Sequence, residues 1–186
     1  MHFEDLALCH YHNGPFDADE WRAPLLAIGW LARPNAFPTG HAQPELLAML
    51  ESLITASGVH YPSHGFRGQH DCDICPSGTF KRSMAARSHL NIWVPGDGVI
   101  YLAPAMITHY IGDHQYLPPA EFISAVMNCP DCGSPSHCTA LQTANAGFRP
   151  PLLTEAELDA QWPAIQERRA AQRLRGEPRV PGPDKS

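Results

Sequence analysis

The stretch HLNIWVPGDGVIYLAP, residues 89–104, decides the fold of this chain of 186 residues. Two runs rich in β-branched and aromatic residues flank a Pro-Gly-Asp-Gly turn, which is typical of a β-hairpin. On either side of this segment lie pairs of side chains that metals prefer as ligands. Cys72 and Cys75 precede the hairpin, and His109 and His114 follow it. The hairpin therefore becomes the candidate link between two halves of one site.

Short elements are predicted on both sides of the hairpin. Residues 24–31, PLLAIGWL, form a brief apolar run between prolines and predict a buried strand. The segment ELLAMLESLITAS has leucines at helical spacing and predicts an amphipathic helix over residues 45–57. Pro104 suits the first position of a helix over AMITHYI, with Gly112 as its C-terminal cap. These elements indicate an α+β fold.

The remaining segments complete this plan. Residues 117–128, LPPAEFISAVMN, predict another helix, whereas residues 59–80 and residues 129–138, CPDCGSPSHC, are predicted loops. Thr154 with Glu157 three residues later marks the start of a C-terminal helix. We therefore expect a small single α+β domain with flanking helices over residues 1–150, a helix over residues 151–175 and a disordered tail over residues 176–186.

Composition narrows the class of protein. The content of 44% hydrophobic and 17% charged residues is that of a globular domain, and the net charge of -6 argues against nucleic acid as a partner. No apolar run reaches the 18 residues of a membrane span, and the N-terminus lacks the basic segment of a secretory signal. We therefore expect a cytoplasmic protein. There, its six cysteines are reduced or bound to metal rather than paired in disulfides.

The spacing of cysteines and histidines predicts a zinc site. Thiolates and imidazoles suit Zn²⁺, and a Cys-x2-Cys turn can direct both sulfurs to one ion. We predict Cys72, Cys75, His109 and His114 as a Cys2His2 ligand set. A redox pair and two unconnected thiols are the competing interpretations of the Cys-x2-Cys motif.

The order of elements adds two resemblances. Cysteine knuckle, β-hairpin and histidine-bearing helix together resemble the treble-clef zinc module over about residues 70–116. The stretches RGQHDCDIC and HYIGDHQYLPPAEFISAV are also similar to a group of small stand-alone bacterial proteins of unknown function, and that match spans most of residues 1–130. The treble clef implies a metal scaffold without a particular function. The second resemblance implies that His70 belongs to the same site as the four predicted ligands.

Other ligand sets stay open. Cys129 and Cys132 could join the first cysteine pair in a four-cysteine site, or form a separate site with His137 and Cys138. His70 could replace one ligand or lie in the outer shell of the metal. Asp113, next to His114 in the sequence, is a candidate orienting carboxylate.

Two classes of function follow from this site. The first is a zinc-binding accessory or interaction protein in which four protein ligands close a structural site. The second is a zinc-dependent enzyme of the hydrolase type, in which His70, Asp73 or Asp113 would act as general base on a metal-bound water. The sequence has no phosphate-binding glycine loop, Gly-x-Ser-x-Gly elbow or His-Glu-x-x-His pair. It therefore identifies no catalytic residue, and it leaves the substrate, the partner (a protein or a small molecule) and the oligomeric state unassigned.

Overall fold

The computed structural model describes residues 2–11, 23–61, 65–75 and 87–144, which form a mixed α+β fold with one sheet and four helices. The strands are β1 Leu25–Ala27, β2 Gly65–Asp71, β3 Arg87–Pro95 and β4 Ile100–Pro104. The helices are α1 Pro44–His60, α2 Ile107–His114, α3 Ala120–Met127 and α4 Pro135–Ala144. In the sheet the strand order is β1-β4-β3-β2.

The predicted hairpin is the centre of this sheet. Strands β3 and β4 pair antiparallel with Trp93 opposite Leu102. In the turn, Gly98 has φ +66°, a conformation that glycine adopts without strain. Strand β1 adds in parallel to β4, and β2 adds antiparallel to β3 with an irregular register. The hairpin prediction is therefore confirmed, and so is the short strand after Pro24.

Helix α1 covers one face of the hairpin. Its buried residues Leu46, Leu50 and Leu53 recur at helical spacing, as the sequence predicts. They share one core cluster with Phe122 of α3 and Val94 of β3. Packing of this apolar stripe stabilises the helix far more than its intrinsic propensity does. The same core holds the hairpin and the following helices in fixed relative positions.

Two predicted loops contain regular structure. Strand β2 lies within residues 59–80, in the sequence GFRGQHD. Its polar residues give no strand signal, because the strand forms at the edge of the sheet where only β3 pairs with it. Helix α4 begins at Pro135, within the predicted loop over residues 129–138. Proline at the start of a helix needs no hydrogen-bond partner for its nitrogen, so the residue that suggests a loop instead opens the helix.

The bounds of α2 also differ from the prediction. Pro104 is the last residue of β4, and the helix begins only at Ile107. Gly112 lies inside the helix, which ends at His114 and is capped by Gln115 in the left-handed conformation with φ 57° and ψ 26°. The C-terminal helix and tail predicted after residue 150 lie outside the described residues. Within the described ranges, every helix is too short or too polar to cross a bilayer.

Candidate metal centre

Cys72 and Cys75 lie in the turn that follows β2. The Cys72 side chain is buried, and Cys75 is half-buried. Arg33, from the segment between β1 and α1, donates a hydrogen bond from its Nη2 to the Ile74 carbonyl at 2.6 Å. This contact holds the middle of the cysteine turn against the rest of the domain. The sequence carries no signal for it, because Arg33 is about forty positions away in the chain and stands in an ordinary loop.

His109 and His114 both belong to α2, the helix directly after the hairpin. His109 is buried near the start of the helix, and His114 is its last residue. The centroids of the two rings are 4.8 Å apart, and the ring planes are nearly perpendicular. The edge of each ring, rather than its face, is therefore available to a shared partner.

The four side chains converge on one point. Their ligand atoms all lie within 4.8 Å of one another. The Sγ of Cys75 is 3.3 Å from Nε2 of His109 and 3.4 Å from Nε2 of His114. The Sγ of Cys72 is 3.4 Å from Nε2 of His114, and the two Nε2 atoms are 3.2 Å apart. Each residue thus contributes one atom to a single cluster.

Four of the six spacings between ligand atoms are close to the edges of a zinc tetrahedron, and the other two are within 4.8 Å. Zn–N bonds of about 2.0–2.1 Å and a Zn–S bond of about 2.3 Å place two nitrogens about 3.3 Å apart, and a nitrogen and a sulfur about 3.6 Å apart. The observed separations of 3.2 Å and 3.3–3.4 Å differ from those values by only a few tenths of an ångström. The donor set of two thiols and two imidazoles also suits Zn²⁺. The residues present therefore fit the ion.

Asp113 fixes the orientation of His109. The His109 Nδ1 donates to Oδ2 of Asp113 at 2.5 Å, while its Nε2 faces the other ligands. A carboxylate on the far nitrogen holds the proton there and leaves Nε2 with a free lone pair for a metal. Asp113 therefore has an orienting role, as the sequence suggests, but it orients His109 rather than its neighbour His114.

Burial favours the neutral forms of these groups. It raises the pKa of the Cys72 thiol to about 11, with a further contribution from the adjacent Cys75. Burial also lowers the pKa of His114, and the nearby His109 lowers it further. At neutral pH the metal-free cluster consequently holds Cys72 as a protonated thiol and His114 as a neutral imidazole. A metal ion entering it would displace the thiol protons.

His70 stands apart from the cluster. It lies on the exposed edge strand β2, where its Nε2 is 3.2 Å from the Tyr11 hydroxyl. It is not a member of the four-residue group. The structure therefore gives His70 a place beside Tyr11 and does not bring it to the ligand atoms.

A family model matches residues 1–127, about two thirds of the chain. The chain belongs to this family, a domain of unknown function named DUF7919. All four clustered residues lie within the DUF7919 segment, as do Asp113 and Arg33. No curated protein and no solved structure matches the chain.

The second group of cysteines lies beyond the DUF7919 segment and packs elsewhere. Cys129 and Cys132 are buried, and the Cys132 Sγ is 3.4 Å from the Ser57 hydroxyl of α1. The Tyr61 hydroxyl lies 3.2 Å from Nδ1 of His137 and 3.4 Å from Sγ of Cys138. Burial raises the pKa of all three thiols.

Neither alternative ligand set is formed. Among the described residues, the cysteines, histidines and carboxylates close enough to hold one ion are Cys72, Cys75, His109 and His114. Cys129 and Cys132 do not join them in a four-cysteine set, nor do they form a second group with His137 and Cys138. Cys129 and Cys132 instead belong to the apolar core that contains the buried leucines of α1, where they pack as small hydrophobic side chains.

Proposed function

We propose that this protein binds zinc in a structural Cys2His2 site formed by Cys72, Cys75, His109 and His114, and that it acts as an accessory or interaction protein. The observation that carries the proposal is the convergence of these four ligand atoms within 4.8 Å. The order of strand, cysteine turn, hairpin and helix supports a treble-clef-like arrangement of the site. The ion would connect the turn after β2 to α2.

A closed coordination sphere supports the structural role. Four protein ligands complete the tetrahedron that structural zinc adopts, whereas catalytic zinc keeps a position open for water or substrate. His109 and Cys72 are buried, so half of the sphere is shielded from solvent. All six cysteines are free thiols, which fits a reducing, cytoplasmic environment.

Two of the three candidate general bases have other contacts. The Asp113 carboxylate accepts from His109, and Nε2 of His70 is hydrogen-bonded to Tyr11. An enzyme of the hydrolase type would need one of the four ligands to leave the ion. We therefore rank the accessory or interaction role above the enzymatic role. In that role the partner would be another protein.

Metal analysis of purified protein tests the site. We expect one zinc per chain, and a large loss of bound zinc in Cys75→Ser and in His109→Ala. Cys9→Ser and His41→Ala are matched controls, since Cys9 is a buried thiol outside the cluster and His41 is an exposed imidazole. Full zinc content in both site variants would refute the assignment. X-ray absorption then separates the two roles, because two sulfurs and two nitrogens indicate a structural site and an added oxygen indicates an open one.

A further inference from the structure

A small cavity of about 50 Å³ lies beside the metal cluster, under the edge strand β2. Its floor consists of buried side chains, among them Trp30, Asn91 and Tyr110. Its mouth carries exposed residues, among them His70 and Asp73. A single water needs about 10–15 Å³, so the cavity has room for roughly four waters or for a ligand group of a few heavy atoms.

One buried polar group in the floor is left without a full set of partners. Asn91 is 2% exposed, and its Nδ2 donates a long hydrogen bond of 3.5 Å to the Tyr11 carbonyl. The side-chain oxygen of Asn91 has no hydrogen-bond partner among the described residues. An amide oxygen at the surface of a cavity can accept a hydrogen bond from water or from a ligand group that donates one. The Asn91 oxygen is therefore available to a ligand group that donates a hydrogen bond.

Two other polar groups of the lining have partners within the protein. Ser88 exchanges hydrogen bonds with the backbone of Leu90, and Asp71 forms an ion pair with Arg87 at 2.7 Å. The Asp73 carboxylate has no cationic partner among the described residues. The described lining thus offers one unpaired negative charge, on Asp73, and the acceptor of Asn91.

Aromatic rings supply the remaining walls. Trp30 uses its Nε1 to donate to the Leu102 carbonyl at 3.0 Å, so its ring presents only π and apolar surface to the cavity. Phe66 and Tyr110 also line the space. Aromatic faces attract organic cations, and the attraction increases where water is excluded. The acceptor of Asn91, the carboxylate of Asp73 and the aromatic walls thus all favour a ligand group that is cationic and donates hydrogen bonds.

We propose that this cavity binds the ammonium group of a small primary amine, with the cation between Asn91 and Asp73 and its apolar carbon against Trp30. An amine larger than the cavity extends outward past the exposed residues of the mouth. The site is distinct from the metal cluster and does not depend on the identity of the ion, so it goes beyond the proposed structural role.

Titration of the metal-containing protein with three probes of similar size tests this proposal. Ethylammonium carries the positive charge, ethanol is its neutral counterpart and acetate carries the opposite charge. We expect ethylammonium to shift the NMR signals of the Asn91 side-chain amide and the Trp30 indole in a saturable way. Three heavy atoms set the dissociation constant at about 1 mM at best. Equal or larger shifts with ethanol or acetate would overturn the proposal.

Two substitutions locate the binding. Asn91→Leu keeps the size of the side chain and removes its hydrogen bonds, so ethylammonium should bind at least about tenfold more weakly. Asp73→Asn removes an exposed charge and should weaken binding about twofold to fivefold. Asp97→Asn, in the exposed turn between β3 and β4, is the matched control and should bind like wild type. Wild-type affinity in both cavity variants would overturn the assignment, and zinc analysis of each variant reports separately on the metal site.

Discussion

Replacing Asp113 with alanine is expected to weaken zinc binding about tenfold. Removing the partner of a metal-bound histidine typically costs 10–100-fold in metal affinity. The Asp113 side chain is 64% exposed, so water can partly replace it on Nδ1 of His109, and the loss should lie at the lower end of that range. A tenfold loss corresponds to about 1.4 kcal/mol. Asp113→Asn keeps an oxygen that accepts from Nδ1 of His109, so this variant should lose less zinc affinity than Asp113→Ala.

The stability of the metal-free protein should change little. Asp113 is the last residue but one of α2, where a negative charge interacts unfavourably with the helix dipole, and alanine has a higher helix propensity than aspartate. Loss of the acceptor on the buried Nδ1 of His109 opposes these gains, because water replaces it only in part. The alanine variant should therefore unfold in urea at about the same midpoint as wild type when zinc is absent. A loss of zinc affinity together with intact metal-free stability excludes simple unfolding of α2 as the cause.

Competition with a chromophoric chelator at fixed pH measures the affinities. Glu121→Gln is the matched control, because Glu121 is also an exposed carboxylate on a short helix but lies outside the cluster. We expect the highest zinc affinity in wild type and Glu121→Gln, a lower affinity in Asp113→Asn and the lowest in Asp113→Ala. An unchanged dissociation constant in Asp113→Ala would show that this carboxylate does not orient His109 toward the ion.

Further predictions concern stability. Removing zinc with a chelator should lower the melting temperature in calorimetry, since free zinc at a thousand times its dissociation constant stabilises by about 4 kcal/mol; an unchanged melting temperature would argue against the site. Phe122→Ala, at a fully buried position, should cost about 3–5 kcal/mol in urea unfolding, and a loss below about 1 kcal/mol would contradict the packing. Burial lowers the pKa of His137, so its neutral form contributes stability above about pH 6.5 that is lost as the pH falls below that value. The urea midpoint of wild type should accordingly fall more between pH 7.5 and pH 5.5 than that of His137→Asn, and parallel curves would exclude this contribution.

The sequence predicts the elements whose formation is signalled by residues within the element itself. The apolar spacing in α1 and the turn between β3 and β4 are local signals, and both elements form as expected. The metal cluster was also predictable, because each of its ligand pairs is short-range and the hairpin between them is recognisable. Asp113 could be found for the same reason, since it is four residues from His109 on one helix.

What escaped prediction depends on contacts between distant segments. Strand β2 is a strand because β3 pairs with it, and its own residues alternate too weakly to show this. For α4 a signal was present: His137, Leu141 and Ala144 are buried at helical spacing, but the prolines and glycine before them suggest a loop. The hydrogen bond from Arg33 to the cysteine turn has no local signature in the sequence.

The separation of the ligand pairs along the chain has a consequence for assembly. Cys72 and Cys75 are three residues apart in one turn, whereas His109 and His114 come next to them only when β3, β4 and α2 have formed. In the proposed zinc-bound protein, the number of ligands on the ion therefore reports whether the hairpin has folded. During synthesis the cysteine turn would bind the ion weakly first. The two histidines would complete the site only after α2 has left the ribosome. Cobalt in place of zinc would make this visible, since its absorption distinguishes a tetrahedral site from a partly formed one.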